Sequence, residues 1–136
     1  MNTFKDHVFE KEFWQSIKLI PTSKLRTIQK AIENKKIFKQ QIGQWKNLNI
    51  YMVDGNEVKI KYDMDFVEAG NSEAKNYIPK NEIWIDSSTD TTNIKFSIYH
   101  EIVERFYMNV YDYDYEKAHD IANTIEKQMR IKHEII

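Results

Sequence analysis

Apolar positions recur at helical spacing in the first third of the chain. They fall into two groups, which a proline separates: Phe9, Phe13 and Ile17, then Leu25, Ile28 and Ile32. Pro21 ends the first predicted helix, because the residue before a proline resists the α conformation. Ser23 can cap the second helix. That helix is predicted to end at Ile42-Gly43, since glycine is typical of a helix C-terminus.

The spacing changes to alternation in the middle of the chain, which predicts β-strands. Four strands are predicted, over residues 49–53, 57–62, 65–67 and 77–86. Asp54-Gly55-Asn56 separates the first two, and such a turn between alternating runs predicts a β-hairpin. Gly70-Asn71-Ser72 is predicted to be a polar turn. Pro79 cannot donate a ladder hydrogen bond, so it indicates the start of a strand or a sheet edge.

Helical spacing returns in the last third, in two helices that a short turn at residues 111–114 separates. Their apolar lines are Ile98, Ile102 and Phe106 in the first helix, then Ala118, Ile121, Ala122 and Ile125 in the second. The whole pattern predicts an α+β fold in one domain over residues 1–136. We expect two N-terminal helices, a small, mainly antiparallel sheet and a C-terminal helical hairpin.

Composition narrows the classes of function. The 136 residues include 20 basic and 21 acidic side chains, a net charge of -1, so a general affinity for nucleic acid or anionic membranes is not expected. The absence of cysteine excludes disulfides, thiolate metal sites and cysteine nucleophiles. No apolar run approaches the roughly 20 residues of a membrane span, and charged residues interrupt the start of the chain. We therefore expect a cytoplasmic protein.

The first of the two C-terminal helices carries a motif for metal chemistry, His100-Glu101-Ile102-Val103-Glu104. His100 and Glu104 lie on one helix face, about 6 Å apart along the axis, so they can bind one metal ion from consecutive turns. Glu101 projects about 100° away around the helix. It can reach a metal-activated water as general base without being a ligand, as in the H-E-x-x-H helix of metalloproteases. The motif therefore predicts a metal-dependent hydrolase.

A catalytic metal site needs a third protein ligand, which the last helix can supply. His119 lies beside the apolar stripe of that helix and is the first choice. Glu126 is an alternative ligand or a group that orients one, and Glu116 is a further alternative. Zinc is the expected metal. Manganese and iron remain alternatives, because the carboxylate of Glu104 is a harder ligand than imidazole.

The strand, the motif helix and the last helix together resemble the zincin superfamily of metallopeptidases, in variants with Glu in place of the second motif histidine. They are also similar to small bacterial and phage proteins with an Ile-Pro-Lys-Asn-Glu-Ile-Trp-Ile-Asp-like strand, a His-Glu-x-x-Glu-Arg helix and a later Ala-His helix. The resemblance covers about residues 77–127. It implies a minimal zincin-like domain that binds a peptide or protein substrate on an edge strand near Ile83–Asp86.

Two other functions fit the same residues. A zincin-like scaffold can serve as a non-enzymatic phage or mobile-element accessory or binding protein, in which any metal only joins the two helices. In a third interpretation no metal binds, and His100, Glu104 and His119 form a hydrogen-bonded polar cluster that stabilises the fold.

Overall fold

The computed structural model describes the backbone of residues 7–133 and the side chains of residues 10–133. Within this part the chain forms five α-helices and a five-stranded sheet. In chain order the elements are α1 (His7–Ser16), β1 (Lys18–Leu19), α2 (Thr22–Glu33), β2 (Lys39–Trp45), β3 (Leu48–Val53), α3 (Gly55–Lys61), β4 (Ala69–Asn71), β5 (Glu82–Asp86), α4 (Ile94–Val110) and α5 (Tyr115–His133). The predicted α+β class is confirmed, with two N-terminal helices and a C-terminal helical pair.

The sheet has the strand order β1-β2-β3-β5-β4. Over residues 7–133 its pairs are antiparallel except β3 with β5, which is parallel. In β5, Ile83 lies opposite Ile50 of β3 on one side and Asn71 of β4 on the other. The prediction of an edge strand near Ile83–Asp86 is therefore wrong. The run of consecutive buried apolar residues in β5 is typical of a strand covered on both faces, and the strand at the edge is β4.

The predicted hairpin over residues 49–62 is also wrong, because its second half is helix α3. Asp54 caps this helix by accepting hydrogen bonds from the backbone N–H groups of Asn56 and Glu57. Gly55 does not adopt the positive φ that a tight hairpin turn requires. Its N–H donates to Asp86 Oδ1, and a Cβ at Gly55 would lie 2.5 Å from that oxygen. Glycine at position 55 therefore allows the start of α3 to lie close to the end of β5.

Other element boundaries differ from the predictions for local reasons. Helix α2 ends at Glu33, because Lys35 adopts a left-handed φ of 61° that a helix cannot continue. Pro21, with no side-chain hydrogen bond, is the N-cap in place of the predicted Ser23. Ile42-Gly43 lies in β2, and the predicted turn at 70–72 overlaps β4. The side chain of Phe9, predicted to line the first helix, lies outside the described residues.

Replacing Asp54 with alanine is expected to lower the free energy of unfolding by about 1–2 kcal/mol, because helix α3 loses its cap. The Asp54 side chain also accepts a hydrogen bond from Lys35 Nζ at 2.7 Å. The Lys35 side chain is 63% exposed, so Lys35→Ala is expected to lower the free energy of unfolding much less than Asp54→Ala. Urea denaturation of both variants measures the two losses. Equal losses would contradict capping as the main role of Asp54.

Two apolar clusters lie on opposite faces of β5 and position the C-terminal helices and β4. Ile83 and Ile85 belong to the main core, which includes the buried faces of α4 and α5. Trp84 points to the other face, into a second cluster that is completed by Val53, Val58, Phe66 and Ile78. A Cβ at Gly70 would lie 2.9 Å from Ile78 Cδ1 and 3.4 Å from Phe66 Cε1, so this cluster packs directly against β4.

No helix in residues 7–133 combines the length and apolarity that crossing a bilayer requires.

Candidate metal centre

Helices α4 and α5 are held together by small residues on α5. Ala118 and Ala122 are fully buried in the main core, and such side chains allow two helices to approach closely. His119 follows the first of these alanines and therefore lies at the boundary between α5 and α4. The packing brings it to His100 and Glu104, both buried on α4.

Three donor atoms meet at this boundary. His119 Nδ1 lies 2.8 Å from Glu104 Oε2 and 3.3 Å from His100 Nε2, and His100 Nε2 lies 3.5 Å from Glu104 Oε2. Ligands that bind one zinc ion tetrahedrally, at about 2.0–2.1 Å each, are separated by about 3.3–3.4 Å. The triangle therefore has nearly the size that one ion requires. Among the described residues, this is the group of three His or acidic side chains whose geometry can hold a metal ion.

Glu126 fixes the orientation of the first histidine. Its Oε1 lies 2.9 Å from His100 Nδ1, and its Oε2 accepts a hydrogen bond from Arg130 Nε at 2.9 Å. A carboxylate can only accept, so His100 Nδ1 must carry the proton. In the neutral imidazole the lone pair is then on Nε2, which faces Glu104 and His119. This carboxylate–histidine arrangement is typical of metal sites, and it places Glu126 behind a ligand.

The buried charges of the cluster alter the acid–base properties of both motif residues. Burial alone lowers the pKa of His100, but hydrogen bonds to Glu104 and Glu126 outweigh it and raise the pKa to about 10. Burial, and then the nearby charge of Glu104, raise the pKa of Glu101 to about 8. Both shifts reflect negative charge held away from water, which costs free energy unless a cation compensates it. A divalent cation can supply that compensation, but it must displace a proton from His100 to bind at Nε2.

Glu101 lies beside the triangle but is not part of it. Its Oε1 accepts a hydrogen bond from Asn71 Nδ2 at 2.9 Å, and the same amide nitrogen lies 3.1 Å from Glu104 Oε1. Asn71 was not predicted as a site residue, because Gly70-Asn71-Ser72 has the composition of a turn. The sequence around Asn71 does not show that β4 pairs with β5. That pairing brings the Asn71 side chain to α4.

A cavity of about 440 Å³ lies against the cluster and makes it accessible. His100, Glu101, Glu104 and His119 all contribute to its wall, which also includes Ala69 and Gly70 of β4. The predicted general base, the three donor residues and strand β4 therefore all border one cavity. A purely structural metal site is closed by its protein ligands, whereas this one adjoins open space.

Tyr115 is a second residue of the site that was not predicted as a site residue. Its ring stacks on His119 at a centroid distance of 5.1 Å, and its hydroxyl lies 3.4 Å from His119 Nδ1. The contact restrains the imidazole ring and places a phenol in the cavity wall. The spacing of four residues on α5 could have indicated this pair, since such residues share a helix face.

The predicted residues thus fall into three groups. His100, Glu104 and His119 converge, and Glu101 lies next to them in the same cavity. Glu126 contacts His100 and does not belong to the triangle, in agreement with its predicted orienting role. Glu116, the other alternative ligand, is exposed on α5 and is not part of the convergent group.

The site is characterised by its geometry, without support from relatives. No protein-family model, no curated protein and no solved structure matches this chain.

Proposed function

We propose that this protein is a metal-dependent hydrolase of the zincin-like peptidase type. In this proposal His100, Glu104 and His119 hold a zinc ion, and Glu101 is the general base. The single observation that carries the proposal is the triangle of donor atoms, with sides of 2.8, 3.3 and 3.5 Å, beside the buried carboxylate of Glu101. An accessible cavity next to these groups supports catalysis over a structural role.

The chemistry follows from the groups that surround the cavity. A divalent ion held by these three residues would act as a Lewis acid and make a water molecule in the cavity a stronger acid. Glu101 takes a proton from the attacking water and passes it to the leaving amine. The Tyr115 hydroxyl, in the same cavity wall, would donate a hydrogen bond to the oxygen of the scissile carbonyl as charge develops on it.

The substrate in this proposal is an extended polypeptide along the free edge of β4. Glu68 O accepts from Asp86 N, so Glu68 bonds toward β5. Backbone groups alternate in direction along an antiparallel pair, so those of Ala69 and Asn71 point away from β5. Ala69 N already donates to Val67 O, Asn71 O accepts from Lys75 N, and Asn71 is fully buried, so Ala69 O is the group left for a substrate. Ala69 also lines the cavity next to the metal ligands. A peptide that donates a hydrogen bond to Ala69 O would therefore lie beside the cavity wall that includes Glu101.

Metal content per chain, on protein purified without a histidine tag, tests the proposal. We expect about one zinc per chain in the parent protein and almost none in His100→Ala or His119→Ala, because each substitution removes one of three ligands. His133→Ala is the matched control, since His133 pairs with Glu10 and does not line this cavity. It is expected to retain the metal of the parent protein.

The alternatives predict different results. A parent protein that contains no metal and binds no added zinc, manganese or iron contradicts the proposal, and the three residues are then a polar cluster that supports packing. Bound metal without peptide hydrolysis favours a non-enzymatic binding protein whose metal joins α4 to α5. In a screen with internally quenched peptides, cleavage by the parent and none by His119→Ala supports the peptidase.

A further inference from the structure

The side chain of Asn71 connects the sheet to the two carboxylates of the motif. Asn71 is fully buried on β4, and its Nδ2 donates to Glu101 Oε1 at 2.9 Å and to Glu104 Oε1 at 3.1 Å. An amide NH₂ has two hydrogens, so each carboxylate receives one. A single residue outside the motif helix therefore contacts both acidic residues of the motif.

The orientation of this amide is determined by its other end. Asn71 Oδ1 accepts hydrogen bonds from the backbone N–H groups of Glu73 and Ala74, at 2.9 and 3.1 Å. Backbone N–H groups can only donate, so the oxygen must face the loop and the nitrogen must face the carboxylates. The loop after β4 thus holds the amide in the one orientation in which it acts as a donor to Glu101 and Glu104.

The two oxygens of Glu104 consequently have different partners. Oε1 accepts from Asn71, whereas Oε2 lies 2.8 Å from His119 Nδ1 and 3.5 Å from His100 Nε2. Only Oε2 faces the other two donor atoms. The hydrogen bond from Asn71 opposes a rotation that would bring both oxygens toward the centre of the triangle.

We propose that Asn71 is a positioning residue that keeps Glu104 a one-oxygen ligand and holds Glu101 beside the metal as a base. Without the amide, Glu104 can bind through both oxygens and Glu101 can approach as a further ligand, so the position that water needs is filled. This inference rests on the proposed function. It adds a residue of the sheet to the proposed site. It also gives a reason why one coordination position of the proposed metal stays free for water.

Cobalt substitution provides the main test, because the visible absorption of Co²⁺ weakens when a four-coordinate ion gains a fifth ligand. Asn71→Ser removes the amide donor and keeps a hydroxyl that can accept from the loop N–H groups. We expect weaker Co²⁺ absorption than in the parent protein, and a kcat lowered by about 10- to 100-fold with KM little changed. Asn76→Ser is the matched control, because Asn76 is exposed in the same loop and does not line this cavity.

The result separates this inference from the proposed function. A parent protein that binds Co²⁺, with an Asn71→Ser variant of unchanged spectrum and kcat, overturns the role of Asn71 and leaves the metal site intact. A parent protein that binds no metal overturns both. If Asn71→Ser fails to fold, Asn71→Asp serves instead. Aspartate keeps a side-chain oxygen that accepts from the loop N–H groups, and it replaces the amide NH₂ donor with a second oxygen. This variant is also expected to alter the Co²⁺ spectrum and to lower kcat.

Discussion

Replacing Glu101 with glutamine is expected to lower kcat by about 10²- to 10⁴-fold, the usual contribution of a general base, while one metal ion per chain remains bound. Glutamine has nearly the same shape but cannot take a proton. Its side-chain oxygen can still accept the hydrogen bond that Asn71 donates to Glu101 at 2.9 Å. Metal analysis together with steady-state kinetics on a cleaved peptide measures both quantities. Retained turnover in this variant would assign the base to another group.

The stability of the same variant distinguishes a lost base from a damaged fold. Burial raises the pKa of Glu101 to about 8, above its usual value, so the folded state binds the proton more tightly than the unfolded state. Stability from this group is therefore present at low pH and is lost as the pH rises from about 4.5 through 8. In the metal-free protein, Glu101→Gln is expected to remove this loss. Urea denaturation at pH 5 and pH 9 measures the free energy of unfolding. Between these two pH values it is expected to fall less in the variant than in the parent protein.

Replacing Phe66 with alanine is expected to lower the free energy of unfolding by about 3–5 kcal/mol. Phe66 is fully buried in the second cluster, which packs against Gly70 of β4. Its removal leaves a cavity under the strand that carries Asn71. The loss is a large part of the roughly 5–15 kcal/mol that a domain of this kind has in total. Urea denaturation monitored by tryptophan fluorescence measures it.

Phe13→Ala is the matched comparison, because Phe13 is equally buried but lies in the main core. Both substitutions are expected to cost similar stability. Phe66→Leu keeps most of the volume and is expected to cost less than about 1.5 kcal/mol, so it allows a measurement if the alanine variant does not fold. A loss below about 1 kcal/mol for Phe66→Ala would contradict close packing beneath β4.

Local spacing was sufficient to predict the two helices that carry the donor residues. Ile98 and Ile102 on α4, and Ala118 and Ile125 on α5, are buried as their periodicity indicates. Within one helix, residues four apart share a face wherever the helix packs. The short turn between the helices made α5 the neighbour of α4, so His119 could be matched to the motif. These relations depend on contacts close in sequence.

The errors arise where distant segments decide the structure. Val58, Ile60 and Tyr62 alternate as in a strand, yet Ile60 on α3 is 74% exposed, and Tyr62, the C-cap of that helix, is 52% exposed. The cap from Asp54 and the close approach of Gly55 to Asp86 favour the helix. Likewise, the apolar run of β5 does not indicate whether one or two strands flank it. Asn71 could not be assigned to the site without knowing that β4 pairs with β5.

The strand order also has a consequence for how the protein assembles. Strand β5 lies between β3 and β4, although β4 precedes it in the chain. Pairing β5 with β4 closes the short loop of residues 72–81, whereas pairing β5 with β3 closes the longer loop of residues 54–81. The β4–β5 pair is therefore expected to form before β5 joins β3, whereas β4, a three-residue edge strand, is expected to detach first in partial unfolding. In that partly unfolded state the helical pair keeps its three donor atoms without Asn71, so a metal ion bound as we propose can remain when β4 detaches.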